Sequence, residues 1–203
     1  KNGLLEVTPQ AWVPPWSSDS KSPDMPAASG QRRQFLQAVP GDPRLSKISG
    51  GNDTYRTAGQ REAVRTICGA RPGSTNVVVL PTGSGKTTAF IGPAFLARPK
   101  LSVLIVPTVS LARDLERRFQ QDFNIGEKVA YHGGLTNMEK DTFRERLRSG
   151  DQWVVVTSPE AACTALSSDL QKIAREGKLR YFGIDEAHMV ASWGGAFRPE
   201  FQA

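Results

Sequence analysis

"NVVVLPTGSGKTT", residues 76–88, decides how the rest of the chain is read. Asn76 to Leu80 is a short run rich in β-branched residues and predicts a buried strand. It runs into a glycine-rich turn and then into a helix. Gly83 and Gly85 let the backbone turn tightly and aim N–H groups at one point, and the N-terminus of the following helix adds positive potential. Strand, glycine turn and helix in that order make a cradle for phosphate. Thr82, Gly83, Ser84, Gly85, Lys86, Thr87 and Thr88 would line it, with Lys86 reaching the β and γ phosphates and the Thr87 hydroxyl holding Mg²⁺. The strict pattern G-x-x-x-x-G-K-[ST] is not met, because Leu80 stands where its first glycine belongs; the shorter T-G-x-G-K-T form is present.

Outward from this loop the chain alternates. "LSVLIV" (101–106), "KVAY" (128–131), "WVVVT" (153–157) and "RYFGI" (180–184) are further strand-sized runs. Before the loop, Ala63, Val64, Ile67 and Cys68 recur on one face of a helix; after the second strand, Leu111, Leu115 and Phe119 are spaced by four, with Ser110 as expected N-cap. Ser158-Pro159-Glu160 offers a cap, a proline at the first helical position and an acid near the positive helix end. Strands and helices alternating at this length predict an α/β fold, a parallel sheet sandwiched by helices, with ligands at the strands' C-terminal ends. Trp153 is expected in the core, and 137–150 reads as a mixed-sign solvated helix.

Half of the 14 prolines fall within the first 43 residues, so residues 1–50 are read as a proline-rich arm or linker and 51–203 as the domain. Trp12 and Trp16 in the arm are read as local packing residues. No apolar run is long enough to span a membrane. Two cysteines, Cys68 and Cys163, make no disulfide framework; they are expected as small packing residues in an intracellular setting, cytoplasmic and nucleoid-associated if bacterial. A net charge of +6 favours a polyanionic partner without identifying one.

The last expected strand ends in Asp185-Glu186-Ala187-His188. A carboxylate at the end of a strand neighbouring a phosphate loop can hold Mg²⁺, and its neighbour can orient and deprotonate water. Asp185 is therefore the metal-side acid and Glu186 the base; His188, three residues on, stands beside the same site. Beyond it, Trp193 and Phe197 sit near Arg198 in a loop with Gly194 and Gly195, a composition suited to stacking on bases.

On these residues the chain resembles the first RecA-like lobe of superfamily 2 helicases, whose members use the shorter phosphate-loop form. The tail narrows the resemblance to RecQ: Trp193, Gly194, Phe197, Arg198, Pro199, Glu200 and Phe201 match that family's S-x-W-G-x-x-F-R-P-E-[YF] loop, which touches single-stranded DNA and couples it to ATP hydrolysis. The resemblance implies that Gln60 in "YRTAGQREAV" contacts adenine, with Arg56 one residue further from it than usual, and that Pro93 occupies the family's proline position in the helix after the loop. It also implies that Thr108 and Ser110 in "VPTVSL", and Ser158 in "VTSPE", face the nucleic-acid backbone. The expected function is an ATP-dependent DNA helicase using ATP and Mg²⁺ on single-stranded or partly unwound DNA. The chain is read as the first helicase lobe of a longer parent, with the second lobe missing, and so as slow in hydrolysis alone. An RNA helicase, a double-stranded DNA translocase or a non-catalytic nucleic-acid-binding module remain the alternatives.

Overall fold

The computed structural model describes residues 38–49, 54–81 and 83–189. Two short strands, β1 (Val39–Pro40) and β2 (Thr54–Tyr55), pair antiparallel, and helix α1 (Pro43–Ser49) lies between them in sequence. Leu45 and Ile48 of α1 are buried in a cluster with Tyr55 and Val64. Packing therefore begins upstream of Gly50, within residues the sequence reading gave to the arm. Residues 1–37, including Trp12 and Trp16, lie outside the described residues.

Helix α2 (Ala58–Gly69) starts where the Thr57 hydroxyl accepts from the Gln60 amide at 3.0 Å. Next come α3 (Lys86–Leu96), β3 (Leu101–Ile105), α4 (Val109–Phe123), β4 (Ala130–Tyr131), α5 (Asn137–Ser149), β5 (Val154–Thr157), α6 (Pro159–Cys163), α7 (Ser167–Arg175) and β6 (Leu179–Ile184). Strands β3 to β6 form one parallel sheet in the order β4-β5-β3-β6. Alternation along the strands then divides the core. Leu104, Val154 and Val156 pack with Ile91 and Ala94 of α3 and Ala112, Leu115 and Phe119 of α4. Val103, Ile105 and Val155 face the other way, onto Phe143 and Leu147 of α5 and Ile173 of α7. A sheet apolar on both faces needs cover on both, and the sandwich follows.

One expected strand does not form. Residues 76–80 carry no strand pairing, and Val77 and Val79 are 86% and 87% exposed. Their β propensity is real, but a strand also needs an edge to pair with. Strand β6 bonds β3 on one side, while a cleft separates its Phe182–Ile184 stretch from Val77–Leu80.

Trp153 is buried, edge-on to Phe95 at 5.8 Å between ring centroids. Thr108, not Ser110, caps α4, its hydroxyl accepting from the Leu111 amide at 3.2 Å. The Ser158 hydroxyl caps α6 as expected, accepting from Ala161 N at 3.3 Å. Helix α5 is more than a solvated face: Arg144 and Arg148 both bind Asp169 of α7. Cys68 is half-buried against the α1 cluster, but Cys163 is exposed, so only the first acts as packing. No helix among the described residues is long and apolar enough to cross a membrane.

Candidate functional site

The phosphate loop is shaped by its glycines. Gly83 and Gly85 have φ of +81° and +84°, which a residue with a β-carbon adopts only under strain. The Ser84 hydroxyl donates to Pro81 O at 2.6 Å and its side chain is fully buried, which closes the turn from within. Gly85 is the N-cap of α3 and makes no side-chain bond to the helix, so the first amides of α3 stay open to a ligand. Thr88 N bonds back to Gly85 O at 3.1 Å, and Lys86 stands exposed on the first turn. Thr82 lies outside the described residues.

Gln60 is tied to this loop. It is 3% exposed; its Oε1 accepts from Arg56 N at 2.7 Å and its Nε2 donates to Gly85 O at 3.2 Å. A buried amide with both ends used locks α2 and the segment before it to the turn. This bracing is a role that motif matching did not bring out.

The acid pair sits at the end of β6. Asp185 N bonds Ile105 O at 2.9 Å, continuing the sheet, and Asp185 Oδ1 accepts from Glu186 N at 2.9 Å. The chain then turns sharply, with Glu186 in the left-handed region at φ +51°. Such a conformation costs a non-glycine residue about 1–3 kcal/mol and is held here by the turn that ends the strand. His188 Nδ1 lies 3.3 Å from Glu186 Oε2.

Lys86, Thr87, Asp185, Glu186 and His188 line one cleft of about 600 Å³, walled also by Ile67, Val77–Leu80, Phe90 and Phe182. A flank that sequence reading missed is Arg118 of α4, whose Nη1 lies 3.4 Å from Thr87 Oγ1. No motif marks it; it is brought there by the α3–α4 packing. Among the described residues no three His, Cys, Asp or Glu side chains make a metal cage. The oxygens of Thr87 and Asp185 suit a magnesium ion, which takes one or two protein ligands beside phosphate and water.

The backbone-contact candidates occupy the same end of the sheet. Thr108, Ser158 and Asp185 each follow the C-terminal end of β3, β5 or β6, and Ser110 is on the first turn of α4. The Thr108 and Ser158 hydroxyls are already used as caps. Trp193, Phe197 and Arg198 lie outside the described residues.

Sheet, glycine-rich loop and acid turn together define a class, the α/β lobe with a phosphate-loop motif at the C-terminal end of its sheet. Residues 57–203 match the family model described as DEAD/DEAH box helicase, and the chain belongs to that family. Within it the chain is RecQ-like. It is 32% identical over 151 residues to the ATP-dependent DNA helicase RecQ of Haemophilus influenzae, covering 74% of this chain and 23% of that protein. To the human ATP-dependent DNA helicase Q4 it is 27% identical over 152 residues, covering 73% of this chain and 12% of that protein. The chain thus spans about a quarter or less of the relatives' length. A solved structure of the DUF1998 helicase MrfA bound to DNA and AMPPNP superposes with a TM-score of 0.58 at 23% identity, covering 76% of this chain and 22% of that one, a likeness of fold.

Proposed function

We propose that this chain is the ATP-binding lobe of a RecQ-like, ATP-dependent DNA helicase. The observation that carries the reading is the shared cleft, in which the loop residues Lys86 and Thr87 meet Asp185, Glu186 and His188 from the far end of the fold. The loop amides and Lys86 bind the phosphates of ATP, and Gln60 and Arg56 are the candidates for contact with the base. Thr87 and Asp185 hold Mg²⁺, which supplies charge neutralisation at the phosphates. Glu186 takes the proton of the attacking water, and His188, in contact with its carboxylate, links it to the segment that follows. Single-stranded DNA runs along the C-terminal edge past Thr108, Ser110 and Ser158, and Trp193, Phe197 and Arg198 are its further contacts by sequence. The relatives' printed names and the DNA in the MrfA structure support a DNA partner. A second lobe of the parent protein completes the motor.

The test is a titration of the chain with a fluorescent ATP analogue and Mg²⁺. Lys86→Ala is expected to weaken binding at least about tenfold, and Glu186→Gln to leave it intact while abolishing hydrolysis by the parent protein. Equal nucleotide affinity of wild type and Lys86→Ala would overturn the reading. Single-stranded DNA, duplex DNA and RNA of equal length, compared as stimulators of the parent, decide the substrate.

A further inference from the structure

A second pocket, of about 280 Å³, lies at the end of β4, lined by Arg113, Glu116, Arg117, Lys128, His132 and Glu139 among others. His132 is 5% exposed, yet its Nδ1 has no hydrogen-bond partner among the described residues. Arg113 Nε donates to His132 Nε2 at 3.4 Å, so the acceptor nitrogen of the ring is Nε2 and the proton belongs to Nδ1. Burial first, and then the nearby Arg113 charge, hold the imidazole below its usual pKa and therefore neutral. The ring thus presents a buried N–H donor with nothing to accept it, a costly state in a folded protein.

The missing partner is an acceptor, and the surroundings say of what charge. A β-carbon on Gly134 would lie 2.9 Å from Arg113 Nη2 and 3.3 Å from His132 Nδ1, so a glycine leaves a notch where these two donors converge. Arg113 is exposed and makes no ion pair among the described residues. The other charges are committed: Arg117 to Asp114, Lys128 to Glu139, and Glu116 Oε1 to the amides of Val129 and Ala130. Glu139 also accepts from Thr136. Arg117 and Lys128 are thus each paired with an acid, and Arg113 is the pocket's cation with no acid bound to it among the described residues.

Ser110, Arg113 and Arg117 stand at i, i+3 and i+7 on α4, one face of the helix, beginning at the sheet edge where Thr108 and Ser158 lie. We propose that Arg113 and His132 Nδ1–H bind one backbone phosphate of a nucleic-acid strand, extending the strand's track past β5 to the β4 side of the lobe. Nδ1 is closed to solvent in the unliganded protein, so the guanidinium swings outward onto the phosphate as an oxygen enters beside Gly134. This rests on the nucleic-acid reading above and adds a subsite to it.

The test measures binding of a fluorescein-labelled oligothymidylate of about 15 nucleotides to the full chain. Arg113→Gln and His132→Ala are each expected to weaken it about five- to twentyfold, Arg113→Gln lowering the salt slope by about one, with ATP-analogue affinity unchanged. His132→Asn, which restores an N–H donor, is expected to recover most of the loss. Exposed Arg113 decides the matter if His132→Ala fails to fold. Unchanged oligonucleotide affinity in Arg113→Gln overturns this subsite and leaves the nucleic-acid reading standing. A wild-type chain that binds the ATP analogue but no oligonucleotide overturns both. If inorganic phosphate shifts the His132 ring resonances and the oligonucleotide does not, the pocket takes a small anion and the strand assignment falls.

Discussion

At the scale of single residues, Gly85 has the most constrained position in the candidate site. It combines a left-handed backbone with contact to Gln60: a β-carbon there would overlap Gln60 Nε2, whose amide holds both Gly85 O and Arg56 N. Left-handed backbone costs an L-residue about 1–2 kcal/mol, and displacing Gln60 would orphan buried polar groups at about 1–3 kcal/mol more. Gly85→Ala is therefore expected to destabilise the chain by about 2–5 kcal/mol in urea unfolding and to eliminate measurable ATP-analogue binding. Gln60→Leu separates the two effects. It keeps the glycine but removes the brace, and should lower stability by about 1–3 kcal/mol with a smaller loss of nucleotide affinity. An ATP-analogue affinity for Gln60→Leu equal to that of Gly85→Ala would show that adenine contact by Gln60, rather than bracing, dominates.

At the scale of elements, a hydroxyl can look like a ligand group and act as a cap. Thr108 ends the β3 connection and satisfies the Leu111 amide of α4. Thr108→Ala should cost about 1 kcal/mol in urea unfolding, the usual price of a lost N-cap, whereas Thr108→Ser should cost little. If Thr108→Ala weakens oligonucleotide binding while stability is unchanged, the residue contacts the strand directly. The same distinction shows what the sequence could and could not convey. Periodicity revealed β3, β5 and the buried faces of α2 and α4, because apolar spacing reports burial directly; β6 also forms where its run stands, but with Phe182 and Ile184 exposed. The loop and acid motifs pointed to Lys86, Thr87, Asp185 and Glu186 because such chemistry needs fixed local order, and the fold brings the four to one cleft. Residues 76–80 failed as a strand because β pairing depends on a neighbour that no local window contains. The Arg113–His132 pair and the Arg118–Thr87 contact were invisible for a related reason: α4 brings them to β4 and α3 from distant positions. Ser110 was mistaken for the cap because two hydroxyls stand close together and only backbone geometry chooses between them.

Across the whole molecule, two aspartates join elements remote in sequence. Asp42 accepts from Arg44 N, Leu45 N, Tyr55 OH and Arg65 Nε, pinning α1 and β2 to α2. Asp169 accepts from Arg144 and Arg148, pinning α7 to α5. For Asp42, burial pushes the carboxyl up, but Arg65, Tyr55 and the backbone amides together hold it below its ordinary 3.8. Asp169 is likewise pushed up by burial and held below 3.8 overall by Arg148 and Arg144. A depressed carboxylate contributes stability that is present above its unfolded pKa and lost as pH falls through the folded one. Tyr55 works at the opposite limb. Burial and the neighbouring Asp42 raise its phenol from 10.0 to about 12, so its contribution is present below pH 10 and fades as pH rises through the folded value. Wild type should then be most stable near neutrality and lose stability below about pH 4. Asp42→Asn and Asp169→Asn should each lower stability at neutral pH by about 1–2 kcal/mol, a figure discounted because the arginine partners are partly exposed. The double variant should also flatten the acid limb, so that its melting temperature converges on that of wild type as pH approaches about 3. Thermal unfolding followed by circular dichroism from about pH 8 to about pH 3 measures both effects. A constant gap between the two proteins across that range would mean that the aspartates act through packing alone, with no coupling of their charge to the fold.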